Sequence, residues 1–329
     1  MEEMDEVLRA GETVVSRRKQ SRKRRENAAT VGSDSYARKT WFHNMLSIPP
    51  RQTLTSLSLF TAWSAFMAYV VGGILGVAYP PLSALLNMKL SGREQEYWRL
   101  SCGALAGIGF FYIVTARSRP MVAGNGAILG TVPERVFFVT AVLMWLFRQS
   151  LVPLRVVVTF TLLDTTLATI TYIIWSRNTP GASPKKCLVE IAKLMLPILG
   201  PAKKCTSNCV QMIGYIQMAI SLTFMAKPEI ARDAMGLDAF EGYSKGLIAL
   251  FFTQMAIIGW FHVLGGGDGN ESCPIAAVFY RLAWSTPLIS LMYYFDCIER
   301  GFAVSMGIAD LIGAIVILIP LCIEALSSK

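Results

Sequence analysis

Charged residues are scarce in this chain, and histidine is almost missing. Asp, Glu, Lys and Arg together make up 16% of the 329 residues, whereas soluble globular proteins carry about 25%. Apolar residues make up 53%, and the mean hydropathy is positive. These proportions exclude a disordered, collagen-like or coiled-coil chain, and they indicate that lipid surrounds most of it.

Residues that usually carry catalysis or bind metals are also few. The two histidines, His43 and His262, belong to no His-x-x-x-His or similar pattern. Cys205 and Cys209 are spaced by four, but no second pair or nearby histidine completes a zinc site. We therefore predict no catalytic residue, cofactor site or metal site, and we expect a protein that is not an enzyme.

Eight hydrophobic segments are long enough to cross a bilayer, which takes about 20 apolar residues in a helix. They are 55–78, 97–116, 133–150, 155–175, 207–226, 245–264, 274–295 and 303–325. A shorter stretch, from Leu188 to Leu199, contains Glu190, Lys193 and Pro197, and it is predicted to be an interfacial helix. The sequence thus predicts an all-α, polytopic membrane protein with about eight transmembrane helices.

The two halves of the chain resemble each other at an offset of 146 residues. The offset places Tyr97 on Tyr243, Arg99 on Lys245, Arg135 on Arg281, Thr140 on Thr286 and Asp164 on Asp310, while Pro80 and Pro228 end the first helix of each half two positions out of register. We therefore expect two tandem four-helix modules of the same orientation. The predicted regions are a largely flexible basic cytosolic tail (1–51), a first module (52–176), a cytosolic linker with the interfacial helix (177–206) and a second module (207–329).

A family resemblance comes from the start of the second hydrophobic helix. The run Arg99-Leu100-Ser101-Cys102-Gly103-Ala104-Leu105 follows a Tyr-Trp pair. It resembles the Arg-Leu-x-x-Gly-Ala-Leu opening of the second helix in the tumour protein p53-inducible protein 11 family. The resemblance covers 52–176, and more weakly 198–322. It implies four hydrophobic helices per module and a basic cytosolic tail, and it implies no chemistry, because the family has none established.

The basic residues concentrate in the N-terminal tail, where 11 of the 31 Lys and Arg lie in the first 51 positions. The candidate lipid-contact residues are Arg17, Arg18, Lys19, Arg22, Lys23, Arg24 and Arg25. Because Lys and Arg stay on the cytosolic side, both termini are predicted to be cytosolic. Anionic lipids attract such residues by about 1 kcal/mol each. The alternative is a retrieval signal for the endoplasmic reticulum, an endomembrane that we favour as the location; nucleic acid is not an expected partner.

Three cysteines lie beside the membrane on the basic face: Cys187, Cys205 and Cys209. This position suits palmitoylation, which makes them candidate sites, although we expect free thiols.

Two acids, Asp164 and Asp310, fall in the middle of hydrophobic segments, where an Asp costs about 2.5–3.5 kcal/mol. The candidate cations are Arg135 and Arg281, although a regular hairpin places Arg135 about 9 Å from Asp164 along the helix axis. The acids either form a proton or cation site at the repeat interface or make interhelical hydrogen bonds. Because polar neighbours are few at Asp310, we expect Asp310→Asn to be nearly silent and Asp164→Asn to lose modest stability.

Three functions remain open at this point. The first is a non-enzymatic scaffold or accessory subunit that packs with other membrane proteins. The second is a small transporter or channel that uses Asp164 and Asp310, for which a continuous polar stripe along the fourth and eighth helices would be the sign. The third is an intramembrane lipid enzyme.

Overall fold

The structure is a computed structural model, and it describes residues 54–117, 126–196, 204–269 and 272–327. Every regular element within these ranges is helical. Eight of the helices are long and apolar enough to cross a membrane, as the sequence predicted. The chain is therefore an all-α polytopic membrane protein. The predicted basic tail, including its cluster from Arg17 to Arg25, lies outside the described residues.

Ten helices follow one another along the described chain. They are α1 (Ser56–Ala78), α2 (Arg93–Arg117), α3 (Ala127–Arg148), α4 (Leu154–Asn178), α5 (Pro184–Met195), α6 (Cys205–Ala226), α7 (Pro228–Met235), α8 (Ser244–Gly267), α9 (Ser272–Tyr294) and α10 (Arg300–Ser327). The two short helices, α5 and α7, do not span.

The helices α1 and α6 end in the same way. Tyr79 (φ −133°, ψ 78°) and Lys227 (φ −137°, ψ 79°) have nearly the same backbone conformation, and each precedes a proline. Contact with the proline ring disfavours the α-helical conformation for the residue before it, so each helix stops there. The chain continues as a 3₁₀ segment, Pro80–Leu86, in the first half and as α7 in the second.

A wide π-helical turn interrupts both α3 and α9. The turns are Glu134–Val139 and Tyr280–Ser285, and Arg135 and Arg281 are their second residues. Such turns inside α-helices are rare and occur often at functional sites. Residues 134 and 280 are 146 positions apart, which is the offset found in the sequence.

The connections after α3 and α9 are alike as well. Ser150 (φ 56°) and Asp296 (φ 55°) are both in the left-handed region, which few residues other than glycine adopt. The next helices begin at Leu154 and Arg300. Each of these pairs is again 146 residues apart.

Of the eight spans, α2 and α8 are the most buried. On α2, Gly103 and Gly107 lie against α9: a Cβ on Gly103 would meet Leu288, and one on Gly107 would meet the ring of Tyr280. The indole of Trp284 donates to the Gly103 carbonyl over 3.1 Å. This small-xxx-small pair therefore packs helices within the chain.

A polar network joins α2 to the loops of the second half at the end where α2 begins. The buried carboxylate of Glu299 accepts a hydrogen bond from the phenol of Tyr97 (2.6 Å) and from the backbone N–H of Asp238 (3.3 Å). Arg93 lies between Asp238 (3.0 Å) and Glu299 (3.7 Å). These contacts tie the two halves together outside the apolar core.

A helix is present where the interfacial helix is predicted, and this helix, α5 (Pro184–Met195), begins four residues before the predicted Leu188. Ser183 accepts a backbone N–H of the first turn, and a proline occupies the first helical position; both features favour a helix start. The buried face of α5 contains Cys187 and Ile191.

The loop predicted at 265–273 is shorter than expected, because α8 continues to Gly267. A Cβ on Gly266 would lie 2.7 Å from the backbone nitrogen of Gln211 and the carbonyl of Ser207. The glycines at this point therefore allow α6 and α8 to pack closely, and they do not form a loose turn.

Candidate functional site

Asp164 is buried in the middle of α4, ten residues after Leu154, which is about 15 Å along the helix. Its Oδ1 accepts a hydrogen bond from the phenol of Tyr69. Tyr69 belongs to a π-helical segment of α1, Ala65–Val71. The acid therefore joins α4 to α1.

A second phenol–carboxylate pair lies beside the first. The hydroxyl of Tyr112 donates to Oε2 of Glu134 over 2.7 Å. The rings of Tyr112 and Tyr69 pack edge to face, with their centroids 5.1 Å apart. Glu134 and Asp164 are close enough to interact electrostatically, so the structure supplies the second carboxylate that the local sequence around Asp164 lacks.

Arg135 completes this group. Its guanidinium carbon lies 4.4 Å from the ring centroid of Tyr112 and 5.2 Å from that of Tyr69, within the range of a cation–π interaction. The side chain is 1% exposed, it is attracted by Glu134 and Asp164, and its Nε and Nη2 have no hydrogen-bond partner. From the sequence, a regular hairpin leaves about 9 Å along the helix axis between Arg135 and Asp164. In the structure, the guanidinium of Arg135 lies beside the rings of Tyr69 and Tyr112.

We call these five residues the acid cluster: Tyr69, Tyr112, Glu134, Arg135 and Asp164. It contains two carboxyl groups and one guanidinium, so its formal net charge is −1 when both acids are ionised. Such an excess is costly in hydrocarbon unless a cation or proton offsets it.

The acid cluster borders a cavity of about 280 Å³, close to the lower end of the range for small-molecule sites, about 300–1,000 Å³. Tyr69, Glu134 and Asp164 form its polar end. Most of the remaining lining is apolar and comes from α1, α2, α3, α4, α8 and the 3₁₀ segment. The cavity therefore suits an apolar body that carries one polar group.

The other end of the cavity has two further polar features. Trp98 lines it and is 8% exposed, and its indole Nε1 has no hydrogen-bond partner and lies beside Gly76. Ser101 donates to Gln254 over 2.9 Å, and both residues also line the cavity. Tyr69 and Gly76 are seven residues apart, about 10 Å along a helix.

The cavity has open space beside Gly72 of α1. Gly72 lines it and is exposed, and a Cβ built on Gly72 would meet no atom within 4 Å. By contrast, a Cβ on Gly73 would lie 2.6 Å from the carbonyl oxygen of Cys102. One glycine thus leaves space, and its neighbour allows α1 and α2 to pack closely.

The corresponding residues of the second half, Arg281 and Asp310, face each other. Their Nε and Oδ1 atoms are 3.9 Å apart. Arg281 also donates to the carbonyl of Ala277 and to Oε1 of Gln217, both over 3.1 Å, and its Nη1 lies 3.3 Å from Nε2 of the buried His262. Asp310 itself lies near Arg281 and the hydroxyl of Ser285, and its Oδ2 has no hydrogen-bond partner.

The first helices of the two halves differ beside these groups. The positions twelve, eight and four residues before the terminal proline are Ala68, Gly72 and Gly76 in α1 and Ile216, Ile220 and Phe224 in α6. Ala68, Gly72 and Gly76 all line the cavity. The size of the side chain at these three positions therefore distinguishes the first half from the second.

The threonines of α4 do not form one polar stripe. Thr159, Thr166 and Thr169 are exposed, whereas Thr171 is buried. The hydroxyls of Thr169 and Thr171 donate to backbone carbonyls four residues earlier. The sign expected for a polar channel along α4 is therefore missing from the described helix.

The three predicted palmitoylation candidates differ in exposure. Cys187 is buried, Cys205 is exposed and Cys209 is half-buried. Burial keeps the Cys187 thiol away from an acylating enzyme, so the prediction is now restricted to Cys205 and Cys209. Among the described residues, no group of three or more His, Cys, Asp or Glu side chains could hold a metal ion.

Comparison with protein-family models, curated proteins and solved structures gives no match to this chain.

The sequence alone identified one acid and one arginine in each half: Asp164 with Arg135, and Asp310 with Arg281. In the structure, the acid and the arginine of each half lie in the same cluster. The sequence alone did not identify Tyr69, Tyr112 and Glu134 as site residues. The available signal was Glu134 itself, an acid next to an arginine within a hydrophobic segment. No local pattern marks the two tyrosines, because their partners are on other helices.

Proposed function

We propose that this protein is a non-enzymatic integral membrane protein that binds a small amphiphilic molecule in the cavity of its first half. The observation that supports this function is the mainly apolar cavity lined by α1, α2, α3, α4, α8 and the 3₁₀ segment, which is bordered at mid-span by the acid cluster. A molecule dissolved in lipid reaches such a site from the side, without crossing a polar loop.

The differences between the two halves agree better with a binding site in the first half than with an ion path shared by both. Asp164 bonds to Tyr69, whereas Asp310 pairs with Arg281. The arginine–acid pair of the second half is formally neutral, and bulky residues occupy the positions that are small in the first. We therefore assign binding to the first half and a structural role to Arg281 and Asp310.

A cavity-filling variant tests this function. Gly72→Phe adds a ring where a Cβ meets open space. Gly307→Phe is the matched control, because a Cβ at Gly307 of α10 also meets no atom within 4 Å and Gly307 does not line the cavity. We expect native mass spectrometry of protein purified in mild detergent to find about one bound small molecule per wild-type and Gly307→Phe chain, and none on Gly72→Phe. Equal occupancy in all three proteins, or no adduct on wild type, would contradict the proposal.

A scaffold role is the second candidate, and the outer face of α4 supports it. Thr159, Thr166 and Thr169 are exposed there, and small polar residues are enriched where membrane helices pack. Replacing Thr159 and Thr166 by leucine should then release a partner membrane protein that co-purifies with wild type in fixed ratio. Ile308→Leu with Ile315→Leu is the control, because these exposed residues of α10 are also seven positions apart. A partner retained by the threonine variant would exclude this face.

We also propose that the two halves arose by duplication. The equal spacing of the π-helical turns, of the left-handed residues Ser150 and Asp296, and of the starts of α4 and α10 supports this origin. An even number of spans places both termini on the same side, and the basic residues of the N-terminal tail assign that side to the cytosol. The basic tail then contacts anionic lipid in an endomembrane such as the endoplasmic reticulum.

A further inference from the structure

We propose that the ligand of the first-half cavity is an amine, with its protonated nitrogen between Glu134 and Asp164 and its apolar body along α1. This inference rests on the proposed binding function and names the chemical class that the site takes. Three features of the cavity support it: the charge of its polar end, the donors around its acids, and its depth.

Charge balance favours a cation. Glu134 and Asp164 face one guanidinium, Arg135, and both acids line the cavity while Arg135 does not. In the second half, one acid faces one arginine. The first half therefore has one negative charge more, on the side that is open to a ligand. Without a ligand, a proton can neutralise this charge; a bound ammonium group replaces that proton.

The hydrogen bonds of the two acids leave room for a donor. The free N–H groups of Arg135 would suit an acceptor, but Arg135 does not line the cavity. The phenols of Tyr69 and Tyr112 each donate to one oxygen of a carboxyl group. Carboxylates accept several hydrogen bonds, so an ammonium group can donate to the remaining lone pairs. An anionic or purely accepting headgroup would face carboxylate oxygens instead.

Depth and shape restrict the ligand further. Asp164 is about 15 Å from the start of α4, near the centre of the span, so the headgroup of a bilayer phospholipid does not reach it. At the far end, the unpartnered indole N–H of Trp98 lies beside Gly76 in the same cavity. A buried donor without a partner is costly, and an ether or hydroxyl oxygen on the far end of the ligand would satisfy it.

The test compares three probes with the same chain and different headgroups: octylamine, octanol and octanoate. Full-length protein in lipid nanodiscs is titrated near pH 7, where an alkylamine is protonated, and dissociation constants are obtained from the shift of the thermal unfolding midpoint. We expect octylamine to bind at least about tenfold more tightly than octanol, a difference of about 1.4 kcal/mol, and octanoate to bind most weakly.

Two variants test whether the two acids cause the preference for octylamine. Asp164→Asn and Glu134→Gln each remove one charge and keep the shape of the side chain. The affinity for octylamine should therefore fall towards that for octanol, while the affinity for octanol stays unchanged. Glu229→Gln is the control, since it removes an acid that pairs with Lys245 away from the cavity, and it should keep the preference for octylamine.

The outcomes separate the two proposals. If octanol and octylamine bind equally to wild type, and Gly72→Phe abolishes both, the cavity binds amphiphiles but the amine assignment is wrong. If no probe binds, or if Gly72→Phe has no effect, the binding function itself is wrong. An octylamine preference that survives in both acid variants would place the cation elsewhere and also overturn the inference. The comparison of probes on wild type needs no variant, so it decides the matter even if a substitution prevents folding.

Discussion

The phenol of Tyr69 donates to the carboxylate of Asp164 across 95 positions of sequence and between two helices. At the corresponding position of the second half, Asp310 faces the guanidinium of Arg281. Each acid thus has a hydroxyl group and an arginine nearby, but the arginine of the first half, Arg135, also faces a second acid, Glu134. This difference decides how each acid should respond to substitution.

Asparagine at Asp310 should destabilise the protein more than asparagine at Asp164, the reverse of the order expected from sequence alone. Removing Asp310 leaves Arg281 buried without an opposite charge, which costs about 3–5 kcal/mol. Removing Asp164 leaves Glu134 to balance Arg135. Thermal unfolding of the two variants in the same detergent measures the order, and a silent Asp310→Asn would show that Gln217 and the Ala277 carbonyl satisfy Arg281 by themselves.

Adjacent glycines of α1 should respond in opposite ways to alanine. Gly73→Ala places a Cβ 2.6 Å from the Cys102 carbonyl, and such overpacking costs about 1–3 kcal/mol. Gly72→Ala enters open space and should leave stability unchanged or slightly raised, because alanine is the better helix former. Unfolding midpoints followed by fluorescence-detected size exclusion compare the pair; equal midpoints would mean that α1 and α2 pack less closely than described.

Asp268, which follows α8, should make stability depend on pH. Burial raises its pKa to about 7, above the value of about 3.9 expected in the unfolded chain. Between these values the folded state binds more protons than the unfolded state, so the free energy of unfolding falls as pH rises from about 4 to about 7 and is then flat. Unfolding midpoints across this range should show the fall in wild type and a smaller one in Asp268→Asn. Asp233→Asn, at an exposed site of α7, is the control that should keep the wild-type slope.

The network around Glu299 should contribute measurably to stability. Glu299→Ala removes the acceptor of the Tyr97 phenol, and a buried donor left without a partner costs about 1–3 kcal/mol. The comparison is Glu229→Ala, which breaks a more exposed ion pair with Lys245 that is worth about 0–1 kcal/mol. If chemical unfolding gives the two variants the same loss, the Glu299 network is not a specific link between the halves.

Topology can be measured in sealed vesicles. With eight spans, the connection that contains Cys297 lies on the side opposite to both termini. A variant that keeps only Cys297 should react with a membrane-impermeant maleimide from the lumenal side, while tags at either terminus are reached from the cytosol. The sequon Asn270-Glu271-Ser272 is on the side of the termini in this topology. Tags on opposite sides, or a glycan on Asn270, would show that a span has been assigned wrongly.

The sequence by itself determined the class, the number of spans and the two acids, because a bilayer imposes a minimum apolar length and makes every charge within it conspicuous. It also contains the 146-residue offset at which the π-helical turns and the starts of α4 and α10 recur. It could not place Arg135, because a regular helix was assumed where a π-helical turn lies. It could not find Tyr69 or Tyr112 either, because nothing marks a tyrosine as a site residue until its partner on another helix is known.

Tertiary packing alone decided that Gly72 borders open space while Gly73 lies against the backbone of α2. It also decided that one acid borders a cavity while the other is held by an arginine, because both outcomes depend on which side chains meet across helices and not on the order of residues along any one of them.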